Sequence, residues 1–169
     1  MAARTSLRDY QRELATRLQG AGSGRAATKL GMQVGAESWL VDLADAGEVI
    51  PVPPIAPVPL TRPWFRGVAN IRGKLYSVVD FPAFLGGAGV ALGEQARLLL
   101  LSDRFRMGGA LLVDRSLGLR SAEQLQARAG AAGAPTWLRA EYADKDGRQW
   151  KDLDVAQLVQ NAEFLAVGI

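Results

Sequence analysis

The sequence predicts a mainly all-β chain built of small barrels, and three observations carry that prediction. Short apolar runs broken by Gly, Asp and Pro recur along most of the chain. Two of the junctions read as tight hairpin turns, and only one substantial helical pattern follows, close to the end. Strands and helices therefore do not alternate as a parallel βαβ fold requires.

Taken in order, Ser6 with Asp9 forms a capping-box pattern, and Leu7, Tyr10, Leu14 and Leu18 follow at helical spacing. A basic N-terminal helix is expected there, with GAGSGRAA at 20–27 as a linker, so that residues 1–27 stand apart from a domain over 28–169. KLGMQVG, Glu37–Leu43 and Glu48–Val52 read as strands. Proline gives no ladder donor, so Pro51–Pro59 is expected to be an extended surface connection. Ile71–Phe84 gives the strongest strand signal, with Arg72-Gly73-Lys74 as its turn, and 86–96 reads as a mobile loop. The nearly continuous apolar run RLLLLSD at 97–103 suits a strand buried on both faces and forms a hairpin with MGGALLVD. Residues 121–136 read as a long surface loop. WLRAEY and RQWKDLD form a second hairpin, and Asp154 caps a single C-terminal helix, VAQLVQNAEFL.

Composition excludes several chemistries. The 169 residues are 49% hydrophobic and 22% charged, which suits a packed globular core. The chain has no cysteine and no histidine, which removes disulfides, thiol catalysis, imidazole metal ligands and the commonest acid–base group near neutral pH. No cluster of Asp and Glu suggests a metal site, and no cofactor is expected. A net charge of +3 is mild, so nucleic-acid binding is not expected. The ends differ, with basic residues from Arg4 to Lys29 and mostly acidic ones after Glu141, and either attract each other or form solvated faces. With neither a long apolar run nor a secretory leader, the chain is expected in the cytoplasm.

The stretch PWFRGVANIRGKLYSVVDFPAFLG, Pro63–Gly86, resembles the central signature of CheW-like domains. In that signature a G-x-x-N-x-R-G turn leads into a strand ending in Val/Ile-Asp, here Gly67, Asn70, Arg72, Gly73, Val79 and Asp80. Glu48-Val49-Ile50-Pro51 with Val58-Pro59, and the later Val113-Asp114, resemble its flanking elements, and the tail from Tyr142 is similar to the pilus-associated, PilI-like branch. Ser77 and Phe81 depart from the usual proline and leucine.

The resemblance implies two SH3-like five-stranded β-barrels packed together, the first over about 28–96 plus the C-terminal helix and the second over about 97–153. It implies no catalysis. The implied partners are a methyl-accepting chemoreceptor and a CheA-type histidine kinase, with the chain a monomer alone and part of rings within receptor arrays. Arg72, Glu48, Asn70, Val113 and Trp64 are the candidate receptor- or kinase-binding residues, and Gly67, Gly73 and Asp80 the structural turn residues.

Physically, glycine permits the positive φ of tight turns and Asn70 can hold one through its side chain. Arg72 then either faces a partner or pairs internally with Asp80 or Glu48. Trp64 is either a lid on a barrel or a partner anchor. Asp80 and Asp114 each end an apolar strand and suit turn capping better than acid–base work. Gly87, Gly89 and Gly93 mimic a dinucleotide fingerprint, but no helix of useful length follows. Rival readings are an SH3-like peptide-binding adaptor outside chemosensing, a small enzyme using Asp80, Asp114 and Arg72, and a nucleic-acid binder using the basic N-terminal segment.

Overall fold

The computed structural model describes residues 28–169, so the expected N-terminal helix and linker lie outside the described residues. Among the described residues, eleven strands form two mixed sheets. β1 (Thr28–Val34) and β2 (Glu37–Asp42) pair antiparallel, and β3 (Ala46–Pro51) leaves them for the other sheet. β4 (Phe65–Ile71) and β5 (Lys74–Asp80) form a hairpin, followed by the short helix α1 (Phe81–Phe84). β6 (Arg97–Leu101) and β7 (Gly109–Val113) form the next hairpin. β8 (Arg115–Ser121), β9 (Leu125–Arg128), β10 (Leu138–Asp144) and β11 (Gln149–Leu153) return to the first sheet.

The first sheet has the order β8-β1-β2-β11-β10-β9, and the second β3-β6-β7-β5-β4. Beyond β3, Ala56 pairs with Val68 of β4, which draws the two ends of the second sheet together. A 3-10 turn at Ala122–Gln124 makes the corner between β8 and β9, the two end strands of the first. The fold is mostly β, as expected, but hydrogen bonding does not divide it at residue 96/97. The stretch 46–113 makes one sheet, while 28–42 and 115–153 share the other, because β2 finds a parallel partner in β11. That sheet has six strands rather than five, since Leu125–Arg128 pairs with β10 inside the stretch read as a loop.

β6 is buried on both faces, as its apolar run demands. Leu99 and Leu101 enter the core between the sheets, with Trp39, Phe81 and Leu153. Leu98 and Leu100 enter the interior of the second sheet, with Val78, Ile71 and Leu112. The expected single C-terminal helix is instead two short ones, α2 (Val155–Leu158) and α3 (Ala162–Leu165). Asp154 caps the first by accepting from the Gln157 N–H, and Asn161 restarts the second by accepting from the Phe164 N–H at 3.0 Å. A side chain that bonds forward to the backbone competes with the helix ladder, which explains the break. Phe164 is carried onto Trp64, whose rings lie 6.5 Å apart and nearly parallel.

The first sheet also encloses ions. Lys29, which looks in the sequence like one more basic residue of the N-terminal segment, is buried and bonds Asp42 at 2.5 Å and Asp152 at 3.0 Å. Arg139 adds bonds to Asp42 and Asp154. Among the described residues, Lys29 thus ties the basic start of the chain to Asp152 in its acidic end. Burial alone would lower the Lys29 pKa, but hydrogen bonds and charge from Asp42 and Asp152 outweigh it and raise it. A raised lysine pKa stabilises the fold fully below the unfolded value and loses that contribution as pH climbs through the folded one. Stability is therefore expected to fall above pH about 10.5 in wild type, and to fall less steeply there in Lys29→Met, as a denaturant series across alkaline pH would record. Parallel curves would refute the assignment.

Candidate functional site

Three residues, Asn70, Arg72 and Gly73, explain the shape of the signature corner. Ile71 and Lys74 face each other at the end of the β4–β5 ladder, leaving Arg72-Gly73 as a two-residue loop. Their φ values are +54° and +83°, the signs a type I′ hairpin turn needs. Asn70 Oδ1 accepts from the Gly73 N–H at 2.9 Å and holds the loop. The Arg72 side chain is 69% exposed and bonds Glu48 of β3 rather than Asp80. Solvent-exposed pairs add little stability, so the bond to Glu48 serves mainly to aim the guanidinium. Beside it Lys74 bonds Asp103 and Leu75 faces solvent, making a mixed charged and apolar surface. Arg72, Asn70, Gly73 and Glu48 are thus brought together.

The other candidates are placed elsewhere. Gly67 is not part of the turn. It lies in β4 at φ +128°, where a Cβ would overlap the Ala56 carbonyl, so its role is to let the 56 and 68 backbones meet. Val113 is buried in β7 within the intersheet core. Trp64 is buried too, wedged against Phe84 and Phe164 as a lid. Neither forms an exposed anchor.

Asp80 has no exposed surface and sits at the far end of β5 from the turn. It caps α1 through the Ala83 N–H, accepts from the Val90 N–H at 2.9 Å, and accepts from Arg66 Nε at 2.8 Å. Arg66 Nη2 also donates to the Val90 carbonyl at 2.7 Å. Sequence reasoning missed Arg66. The turn alone does not place it, because the β4–β5 ladder slips between Phe65 and Gly67 and leaves Arg66 as the extra residue. Asp114, the other strand-ending acid, accepts from the Gly35 N–H at 2.6 Å and ties down the β1–β2 turn.

Two cavities flank the Gly86–Gly89 segment, which runs from α1 to the Val90 that Arg66 and Asp80 hold. One, of about 380 Å³, is lined by Trp64, Arg66, Asp80, Ala83 and the glycines. The other, of about 430 Å³, lies at the junction of the two sheets, between Val34–Glu37 of the first and Pro82–Ala88 of the second. A third, polar cleft of about 420 Å³ crosses the first sheet beside Glu37, Arg128, Glu141, Arg148 and Lys151. None of the three joins Asp80, Asp114 and Arg72, the set a small enzyme would need. Among the described residues no group of three acidic side chains could hold a metal ion, and no helix is long and apolar enough to cross a membrane.

The CheW-like domain model matches residues 29–163, most of the chain. The chain belongs to the CheW-like domain family. This CheW-like chain is 30% identical to Protein PilI of Pseudomonas aeruginosa over 91 residues, 54% of this chain and 51% of that one. The match thus spans about half the length of that curated relative. The crystal structure of scaffolding protein TtCheW from Thermoanaerobacter tengcongensis superposes with a TM-score of 0.65 at 16% identity, covering 76% of this chain and 89% of that one. The CheW-like fold is thereby shown.

Proposed function

We propose that this CheW-like chain is a non-catalytic coupling protein that joins a methyl-accepting chemoreceptor to a CheA-type histidine kinase, in a chemosensory system that serves type IV pili. The observation that carries it is the signature turn itself, a rigid corner that aims Arg72 into solvent beside Leu75. Its relatives support the setting, one being named PilI and the other a scaffolding protein. The adaptor works in the cytoplasm, monomeric alone and alternating with the kinase in rings under the receptors. Small transient interfaces of roughly 1,000 Å² each make such rings dependent on multivalency.

The geometry sets a condition on the receptor. Arg72 and the junction cavity lie toward opposite ends of β5, about 20 Å apart at about 3.3 Å per residue. A receptor helix touches both only if about fourteen of its residues run along that line, at 1.5 Å each.

Arg72→Glu is expected to cut receptor co-purification on the order of tenfold, with an unchanged circular dichroism spectrum and melting temperature. Wild-type recovery would remove Arg72 from the interface. A pull-down that brings neither receptor nor kinase would favour the SH3-like peptide adaptor, for which Pro51–Pro59 offers a largely exposed proline run.

A further inference from the structure

The polar cleft on the first sheet takes no part in the coupling function proposed above. β2 and β11 run parallel, with Ser38 beside Trp150, so the β1–β2 and β10–β11 turns that precede them stand side by side. The cleft of about 420 Å³ opens between those turns and reaches Arg128 of β9. Its charges divide into two groups. Lys151 donates to Glu37 at 2.5 Å, and Glu37 also accepts from Trp39 Nε1 at 3.0 Å, so that pair is satisfied within the fold. Arg128, Glu141 and Arg148 differ, since among the described residues none of them forms an ion pair. Arg148 is nonetheless held in place. Its backbone N–H donates to Asp144 Oδ1, the other oxygen of that carboxylate accepts from Trp150 Nε1, and the guanidinium lies over the Trp150 ring at 5.6 Å. Arg120 lies over the same ring at 5.3 Å, and among the described residues its buried Nε has no hydrogen-bond partner. Positive charge thus gathers around one buried indole, with donors left over.

We infer that this cleft binds a small phosphate monoester, with the phosphate held by Arg148 and Arg128 and the hydroxyl or amino donors of the remainder received by Glu141. The site is independent of the coupling function, since the turn that carries Arg72 belongs to the other sheet. Two guanidiniums call for an anion, and their planar forks match phosphate oxygens two at a time. Stacking on Trp150 fixes the plane of Arg148 and leaves its edge free, so little ordering remains to be done at binding. Glu141 sets the second requirement. It faces Arg128 across β9–β10 and Lys151 across β10–β11, so it stands amid the cations and repels a bare anion. A ligand that carries donors beside its phosphate replaces that repulsion with a hydrogen bond. Gln33, Tyr142 and Gln149 add neutral polar contacts, and the volume suits a sugar phosphate or a mononucleotide.

The test is calorimetric titration of the full chain with ribose 5-phosphate, adenosine monophosphate and inorganic phosphate, in wild type, Arg128→Gln, Arg148→Gln and Glu141→Ala. Expected is saturable binding of a monoester with a Kd below about 1 mM, tighter than that of inorganic phosphate and weakened on the order of tenfold by either arginine substitution. The tighter of the two monoesters identifies the source as sugar or nucleotide, and either supports the site. Arg128 is exposed on an end strand, so Arg128→Gln carries the test even if Arg148→Gln loosens Trp150. Glu141→Ala is expected to erase the preference for a monoester over inorganic phosphate. No saturable binding by wild type overturns the proposal. Binding that survives both arginine substitutions puts the ligand elsewhere and overturns it as well. A preference that is absent in wild type, or that persists in Glu141→Ala, overturns the monoester class.

Discussion

Asp152→Ala lowers the stability of the fold by about 3–5 kcal/mol. Asp152 has no exposed surface and is the fully buried one of the two carboxylates that neutralise Lys29, itself only 5% exposed. Deleting it strands an ammonium inside the first sheet with Asp42 as its remaining partner. At roughly 2–4 °C per kcal/mol for a chain of this size, the melting temperature falls by about 10 °C. The double variant Lys29→Met/Asp152→Leu removes both charges and is expected to recover much of that loss, because the penalty arises from a buried ammonium left with Asp42 alone, a carboxylate it shares with Arg139. Calorimetry of the three chains decides it. A single variant within 1 kcal/mol of wild type, or a double variant worse than the single, would contradict the pairing.

Gly67→Ala is expected to cost as much through backbone alone. The residue combines a φ of +128°, which L side chains rarely adopt, with a Cβ position already occupied by the Ala56 carbonyl. A methyl group can be accommodated only by breaking the Ala56–Val68 pair, in which both N–H groups donate across at 2.8 and 2.9 Å. Strain plus lost hydrogen bonds amounts to about 3 kcal/mol or more. Gly73→Ala is a contrasting control. It has a positive φ of +83° but nothing within 4 Å of its Cβ, so it carries the conformational cost without the overlap. Chemical denaturation should rank the two clearly. Equal losses would show that the meeting of 56 and 68 is not what Gly67 protects.

What was legible in the sequence was local. The β4–β5 turn declares itself through Asn70, Arg72 and Gly73, because its geometry is chosen by neighbours in the chain. The RLLLL run declares burial on both faces, since no solvated face tolerates it. Partnerships between distant segments were not legible. β11 joins β2 across more than a hundred residues, which moved the boundary between the sheets away from residue 96/97. Lys29 reads as surface charge until Asp152 is placed beside it. Trp64 and Val113 resemble anchors only while Phe164 and the intersheet core are out of view. Arg66 has no signal of its own, and its meaning comes from Asp80 and Val90, 14 and 24 residues away.

The pairing of β2 with β11 also bears on how the chain is made. As it leaves the ribosome, the contiguous stretch 46–113 has every strand of its own sheet in hand, whereas the hairpin at 28–42 must wait for residues 150–153 before its second edge is covered. Nascent chains halted before that point present Ser38–Val41 as an open, apolar template to one another. Premature termination should therefore yield clumping rather than a smaller working adaptor.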